Sequence, residues 1–189
     1  MKIRLRCSLL VLFLLSGICF AQVPKPALVG LSSNEMSADF LVPTVKGGGL
    51  LEYGVGGQIT STHFFDKHFG VHFGVKLEGD YMRMDYSNLR DSGVRIGPTI
   101  RFSTIHGVQP YVEALVGYAR VQASYLRPVN SFHGSGSILA GGGFECHLTG
   151  GWYAKAGLDV QEDWAAYTGS GRGLLGVSYR FDRTRQPQE

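Results

Sequence analysis

Apolar and polar residues alternate along most of this chain. From Phe69 to Leu77 every odd-numbered residue is apolar, while Gly70, His72, Gly74 and Lys76 fall between them. A period of two is typical of a β-strand with two different faces. The same pattern predicts strands in six further segments: Leu51–Ile59, Val94–Phe102, Tyr111–Val121, Ile138–Leu148, Trp152–Val160 and Gly173–Phe181. We place an eighth strand near Ala27–Ser33, where the alternation is poor and the span to Phe40 leaves both strand and loop open.

The predicted connections alternate in length. Short turns are expected at Phe64–Lys67, Ser103–Val108 and Thr149–Gly151, and longer loops at Asn34–Gly48, Arg83–Gly93, Gln122–Gly134 and Glu162–Ser170. Eight strands with short turns at one end and longer loops at the other predict an all-β fold, an eight-stranded antiparallel up-and-down barrel. We assign residues 22–181 to this single domain and 182–189 to a short polar tail.

The N-terminal segment has the features of a cleavable signal peptide. Lys2, Arg4 and Arg6 precede the apolar stretch Leu9–Leu15, and Cys19-Phe20-Ala21 supplies a cleavage site, so we assign residues 1–21 to the signal. An uncleaved anchor is the alternative, but the apolar stretch is shorter than the roughly 20 residues of a spanning helix. The signal holds three of the 18 basic residues and none of the 15 acidic ones, which leaves 15 of each. A neutral mature chain offers no electrostatic basis for nucleic-acid binding.

Composition bears on which face of the strands is outside. The 189 residues include 27 glycines and only 17% charged residues, which argues against disorder and against a soluble helical bundle. Many glycines fall on the polar face, where small residues suit the crowded interior of a narrow barrel. Acidic and basic residues there nearly balance, as buried charges require. We therefore predict an interior charge network of Glu52, Lys76, Glu78, Arg95, Arg101, Glu113, Glu145, Lys155, Asp159, Arg172 and Arg180.

The apolar face is then expected to contact lipid. Aromatic residues mark strand ends on this face, and amphipathic rings favour the membrane interface. We assign this position to Phe69, Phe102, Tyr118, Trp152, Tyr179 and Phe181. Closure of the barrel follows, because an open sheet edge in hydrocarbon leaves unpaired backbone groups. The alternative is a soluble periplasmic ligand-binding barrel with the apolar face inside.

Three motifs that suggest chemistry are weak here. Gly171–Gly176 matches the glycine-rich dinucleotide pattern but opens a strand instead of a helix. His68 and His72 would lie about 13 Å apart on a strand, at ~3.3 Å per residue, too far for one metal ion. His147 with Thr149 approaches a deacylase-like His-x-Ser pair, but the serine is missing. We expect no catalytic, cofactor-binding or metal-binding residues.

With these features the chain resembles the small outer-membrane β-barrel proteins of Gram-negative bacteria, of the OmpA/OmpX type. The resemblance rests on the signal, the eight strands, the Asp66–Gly70 turn and the ending Leu175-Gly176-Val177-Ser178-Tyr179-Arg180-Phe181. Family members usually end at the aromatic residue, whereas eight residues follow Phe181 here.

The resemblance implies an integral outer-membrane protein with a structural or surface-interaction role. We also expect a filled lumen without a wide pore, because side chains fill the interior of eight strands, and no enzymatic activity, because the catalytic motifs are weak. The resemblance further implies contact with outer-membrane lipid and lipopolysaccharide, recognition of the last strand by barrel-insertion machinery, and a monomer. The alternative within the same architecture is a lipid A-modifying enzyme of the deacylase or acyltransferase type, for which His147 is the candidate residue.

Overall fold

Eight strands make up the structure, a computed structural model that describes residues 33–47, 50–65, 70–84, 89–122, 132–164 and 168–182. The strands are β1 (Ser33–Gly47), β2 (Leu50–Phe64), β3 (His72–Met84), β4 (Arg90–Arg101), β5 (Val108–Gln122), β6 (Phe132–Thr149), β7 (Trp152–Asp163) and β8 (Thr168–Asp182). The described part of the chain contains no helix long and apolar enough to cross a membrane.

Each strand pairs antiparallel with the next, and β8 pairs with β1 to close the barrel. The closing register runs from Ser33 opposite Asp182 to Val45 opposite Ser170. We call the end of the barrel that holds Ser33 and Asp182 the terminal rim, and the end that holds Gly47 and Leu50 the loop rim. Closure leaves the strands of this sheet without an unpaired edge, which is the condition for a sheet that spans a membrane.

The apolar rows of the strands point outward, as predicted. Ile59 on β2, Val116 on β5 and Leu158 on β7 are 65%, 59% and 74% exposed, whereas Glu78 and Arg172 inside the barrel are 0% and 1% exposed. Water would penalise so much exposed aliphatic surface, while lipid chains accept it. The architecture is therefore a transmembrane barrel, and the alternative of a soluble barrel with an apolar interior is wrong.

Strand length agrees with a membrane-spanning wall that projects beyond the hydrocarbon. The strands contain 12 to 18 residues, more than the roughly 9–11 that a tilted strand needs to cross. On β3 the outward rings of Phe73 and Tyr81 are eight residues apart. This spacing corresponds to about 26 Å along the strand and about 20 Å along the axis at a tilt near 40°. The two rings thus bracket most of the apolar band.

The structure corrects the prediction for the first strand. The sequence predicts a long loop over Asn34–Gly48, yet β1 occupies Ser33–Gly47 and β2 already begins at Leu50. The loops expected at Arg83–Gly93 and Glu162–Ser170 are also largely strand, because β3, β4, β7 and β8 extend into them. Of the loop expected at Gln122–Gly134, residues 123–131 lie outside the described part of the chain, and β6 already begins at Phe132. The short turns at Ser103–Val108 and Thr149–Gly151 are confirmed.

The predicted ends of the chain fall mostly outside the description. The signal assigned to residues 1–21 and the expected strand segment before Ser33 lie outside the described residues. Of the tail assigned to residues 182–189, only Asp182 is described, and it is the last residue of β8. The boundaries of signal and tail stay predictions.

Candidate functional site in the barrel lumen

The lumen near the terminal rim holds a closed ring of four charges. Arg101 and Arg180 each contact both Glu35 and Glu145. Arg101 Nε lies 2.9 Å from Glu145 Oε2, and Arg180 Nη2 lies 2.8 Å from the same oxygen. The guanidinium of Arg101 also stacks on the Phe64 ring, 3.9 Å from its centroid. Because two cations meet two anions, the ring is neutral and each buried charge has its counterion.

Two lysines occupy the next part of the lumen. Lys76 Nζ donates to Glu113 Oε1 at 2.8 Å and lies 3.2 Å from Glu78 Oε2. Lys155 Nζ lies 3.6 Å from Asp39 Oδ2 and faces the ring of Tyr111. Both lysines are almost completely buried. The paired carboxylates offset the free-energy cost of removing the two ammonium groups from water.

Two arginines form the densest contacts of the network. Arg172 reaches three carboxylates: Asp80, Glu78 at 3.0 Å and Asp159 at 3.0 Å. Arg95 joins the same group through Asp80 at 2.7 Å and Glu78 at 3.5 Å. Charge-assisted bonds of this kind are the strong ones in a low-dielectric interior. They tie strands from opposite walls together across the lumen.

Towards the loop rim the interior becomes acidic and then apolar. Gln161 Nε2 donates to Asp91 and to Asp163, each at 2.8 Å, and so holds two carboxylates together. Buried apolar side chains form two groups: Leu41, Met82 and Leu174 lie among the arginines and carboxylates, and Met84, Leu89 and Val121 lie nearer the loop rim. The lumen is therefore filled by ion pairs and, near the loop rim, by hydrocarbon, which matches the expected filled interior of an eight-stranded barrel.

Most residues of the predicted network lie in the lumen, but two differ from the prediction. Nine of the eleven are buried: Lys76, Glu78, Arg95, Arg101, Glu113, Glu145, Lys155, Asp159 and Arg172. Arg180 contributes its ion pairs from a half-buried position. Glu52 is half-buried near the loop rim, opposite Val45, and the described contacts include no ion pair for it. It is therefore not joined to the network with which we grouped it.

Sequence reasoning also missed members of the network. Glu35, Asp39, Asp80, Asp91 and Asp163 are buried there, so the described interior has nine acidic and six basic residues instead of a near balance. The sequence does contain a signal for two of them, because Glu35, Ser37 and Asp39 alternate with apolar neighbours in the segment predicted as a loop. Asp91 and Asp163 lie beyond the predicted strand ends.

The predicted interface aromatics separate into two levels. Trp152, Tyr179 and Phe181 pack edge to face at the terminal rim, with ring centroids 5.0 and 4.8 Å apart, and Phe102 lies at the same rim. Tyr118 is 60% exposed in the half of β5 nearer the loop rim. Phe69 lies outside the described residues. The described rings are outward-facing and occur at both ends of the apolar band, as interface residues would.

None of the contacts described for the weak chemical motifs brings a catalytic partner to them. His147 Nε2 donates to the carbonyl oxygen of Gly150 at 2.8 Å, and its ring packs edge-on against Tyr153. Gly171–Gly176 lies within β8, and His68 is outside the described residues. The described residues include no group of three metal-ligating side chains.

Solved structures of known proteins share this architecture. Neisserial surface protein A has a TM-score of 0.60 and 18% identity, covering 78% of this chain and 97% of that protein. Ail of Yersinia pestis has a TM-score of 0.55 and 15% identity, covering 82% and 100%. The N-terminal barrel domain of Pseudomonas aeruginosa OprF has a TM-score of 0.50 and 20% identity, covering 80% and 99%.

Comparison of the sequence alone does not identify relatives of this chain. No protein-family model and no curated protein matches the chain. Low identity combined with nearly complete coverage of the solved barrels shows a shared fold. The chain therefore has the fold of the small eight-stranded outer-membrane barrels, the OmpA/OmpX-like architecture that its sequence pattern predicts.

Proposed function

We propose that the protein is a non-enzymatic, integral outer-membrane barrel that acts through its surface, in a structural or interaction role. The observation that carries the proposal is the filled lumen. Arg172 alone spans from β8 to carboxylates on β3 and β7, and these ion pairs occupy the space a solute would need. Eight strands leave an interior only wide enough for side chains, so a general diffusion pore has no room.

The surroundings of His147 support the absence of catalysis. A histidine that serves as a general base needs a nucleophile within hydrogen-bond reach and a third group that orients it. The contact described for His147 Nε2 is a turn carbonyl, and Thr149, two residues on, is exposed. Enzymatic modification of lipid A is therefore the alternative function and not the proposed one.

Two measurements on the purified full chain test the proposal. In planar bilayers it should give no steps of the size produced by a general diffusion porin in the same membrane. Incubated with lipid A in mixed micelles, it should release no fatty acid and transfer none. Porin-sized steps would overturn the filled lumen, and lipid A turnover that is lost in His147→Ala would establish the enzymatic alternative.

Cell fractionation tests the location independently. The protein should sediment with outer membranes and migrate faster on a gel before boiling than after, as closed barrels do. We also propose that barrel-insertion machinery recognises β8, whose outward row ends in Val177, Tyr179 and Phe181. Recovery in the soluble periplasm would contradict the membrane location.

A further inference from the structure

Two buried carboxylates near the loop rim have too little positive charge around them. Asp91 on β4 and Asp163 on β7 are 4% and 3% exposed. No described ion pair includes Asp91, and the one that includes Asp163 joins its Oδ1 to Arg95 Nη2 at 4.0 Å. Arg95 is already engaged by Asp80 at 2.7 Å. Asp163 and Asp80 repel a negative charge on Asp91, whereas Arg95 attracts it. The two carboxylates thus share one distant cation that another acid already holds.

The charge balance of the lumen points to the same pair. Among the described interior residues nine acids face six bases, so three negative charges are unmatched. The ring of four charges at the terminal rim is neutral. The central ion pairs comprise the bases Lys76, Arg95, Lys155 and Arg172 and the acids Asp39, Glu78, Asp80, Glu113 and Asp159. This central group leaves one negative charge unmatched, and the other two belong to Asp91 and Asp163. Because neighbouring buried carboxylates cannot both stay ionised without compensation, the pair requires a proton or a cation.

The amide of Gln161 marks the point at which the two carboxylates converge. Its Nε2 atom lies 2.8 Å from Asp91 Oδ2 and 2.8 Å from Asp163 Oδ2. The two carboxylate oxygens are therefore no further apart than twice that distance. Ca²⁺ binds oxygen ligands at about 2.3–2.6 Å. A calcium ion near the Nε2 position would reach both carboxylates after a shift of a few tenths of an ångström.

Three oxygen atoms of these side chains are unused. Asp91 Oδ1, Asp163 Oδ1 and Gln161 Oε1 are buried and have no hydrogen-bond partner within the described residues. Buried polar atoms in folded proteins nearly always have a partner, so three in one place indicate an interaction with a further group. Rotation of the Gln161 amide by half a turn exchanges its nitrogen for its oxygen and directs Oε1 towards both carboxylates. The three side chains then offer one cation two oxygens from each carboxylate and one from the amide.

The ligand set and its position favour calcium over other metals. No third carboxylate, histidine or cysteine joins the pair in the described part of the chain, so the nitrogen and sulfur ligands that zinc and copper prefer are missing there. Mg²⁺ demands a near-octahedral shell at about 2.0–2.1 Å and gives up its waters reluctantly, whereas Ca²⁺ accepts irregular sets of oxygens. Asp91 is the second residue of β4 and Asp163 is the last of β7, so the pair lies at the loop-rim end of both strands.

We infer that Asp91, Asp163 and Gln161 form a binding site for one Ca²⁺ ion inside the barrel. The charge of the ion compensates both carboxylates, the amide oxygen is a further ligand, and water completes the shell. The bound ion joins β4 to β7 across the lumen and stabilises the half of the barrel nearer the loop rim. This is a metal site that the sequence patterns do not predict, and it goes beyond the proposed structural or interaction role.

Calcium titration of the full chain tests the site. The protein is refolded in detergent without lipopolysaccharide, freed of metal with a chelator, and titrated with Ca²⁺ by isothermal titration calorimetry near neutral pH. One ion per chain should bind. Asp91→Asn combined with Asp163→Asn should weaken binding by about tenfold or more, because both charged ligands are lost. Glu52→Gln is the matched control, since Glu52 is an acid near the same rim outside the pair, and it should leave binding unchanged.

Urea unfolding distinguishes a metal ligand from a residue that only donates hydrogen bonds. Ca²⁺ at about 100 times its Kd should lower the unfolded fraction about a hundredfold, and it should have no such effect on the double asparagine variant. Gln161→Glu puts a third carboxylate in the place of the amide. This variant should bind Ca²⁺ more tightly than the natural chain and should be less stable without it, because the added charge is then uncompensated.

Several results would overturn the inference. No binding, with equal stability in Ca²⁺ and in chelator, would show that the pair shares a proton instead. Equal affinity for Na⁺ would indicate general attraction of cations to an acidic lumen. Undiminished binding in the double asparagine variant would place the ion elsewhere in the chain, and weaker binding in Gln161→Glu would exclude the amide position as a ligand. None of these results involves porin-sized conductance or lipid A turnover, so failure here is distinguishable from failure of the proposed function.

Discussion

Replacing Arg172 by methionine should destabilise the barrel by about 3–5 kcal/mol, the cost of removing one partner from a buried ion pair. Arg172 is 1% exposed and contacts Glu78, Asp80 and Asp159. Methionine replaces much of its apolar stem but not its charge. The change therefore leaves carboxylates that are buried away from water and no longer paired with the guanidinium group of Arg172.

The loss of Arg172 does not affect the three carboxylates equally, because they differ in the ion-pair partners that remain. Glu78 keeps Lys76 at 3.2 Å and Arg95 at 3.5 Å, and Asp80 keeps Arg95 at 2.7 Å. Asp159 has Arg172 as its one ion-pair partner among the described contacts. Most of the destabilisation should thus come from Asp159. Adding Asp159→Asn to the methionine variant should recover more than half of the lost free energy of unfolding.

The measurement is urea unfolding of the purified chain in lipid vesicles, followed by tryptophan fluorescence and by the shift between unboiled and boiled samples. Arg83→Met is the matched control, because it removes the same side chain from an exposed position, where effects are usually within about 0.5 kcal/mol. A loss below about 1 kcal/mol in the Arg172 variant, or no recovery on adding Asp159→Asn, would refute a buried network that holds the strands together.

Two further predictions concern the wall and its assembly. Gly117→Val should destabilise the barrel by about 1–3 kcal/mol, because a Cβ at Gly117 would lie 2.6 Å from the Cα of Arg95, whereas the outward Gly57→Val should be tolerated in the same unfolding assay. Phe181→Ala should slow insertion into outer membranes, measured as the fraction of heat-modifiable protein after pulse labelling, and Phe73→Ala should not. Equal insertion rates for the two phenylalanine variants would show that the insertion machinery does not recognise the aromatic end of the last strand.

The sequence predicts most of the strands and the outward direction of their apolar faces, because both follow from the local alternation of apolar and polar residues. The rows of Phe73, Val75 and Leu77 repeat regularly and face outward in the structure. The first strand was missed because its apolar row, Met36, Ala38, Phe40 and Val42, directly follows a segment without alternation, and Pro43 and the glycines after it suggested a loop. Proline is tolerated in this strand although the barrel closes through it.

The sequence by itself determined a β-barrel with an apolar exterior and a charged interior, since the alternation of side chains across a strand is a property of the local chain. It also indicated most of the interior charges. Only the tertiary structure decided which charges meet, because partners such as Glu35 and Arg180 are separated by 145 residues and come together through the closing register of β1 with β8.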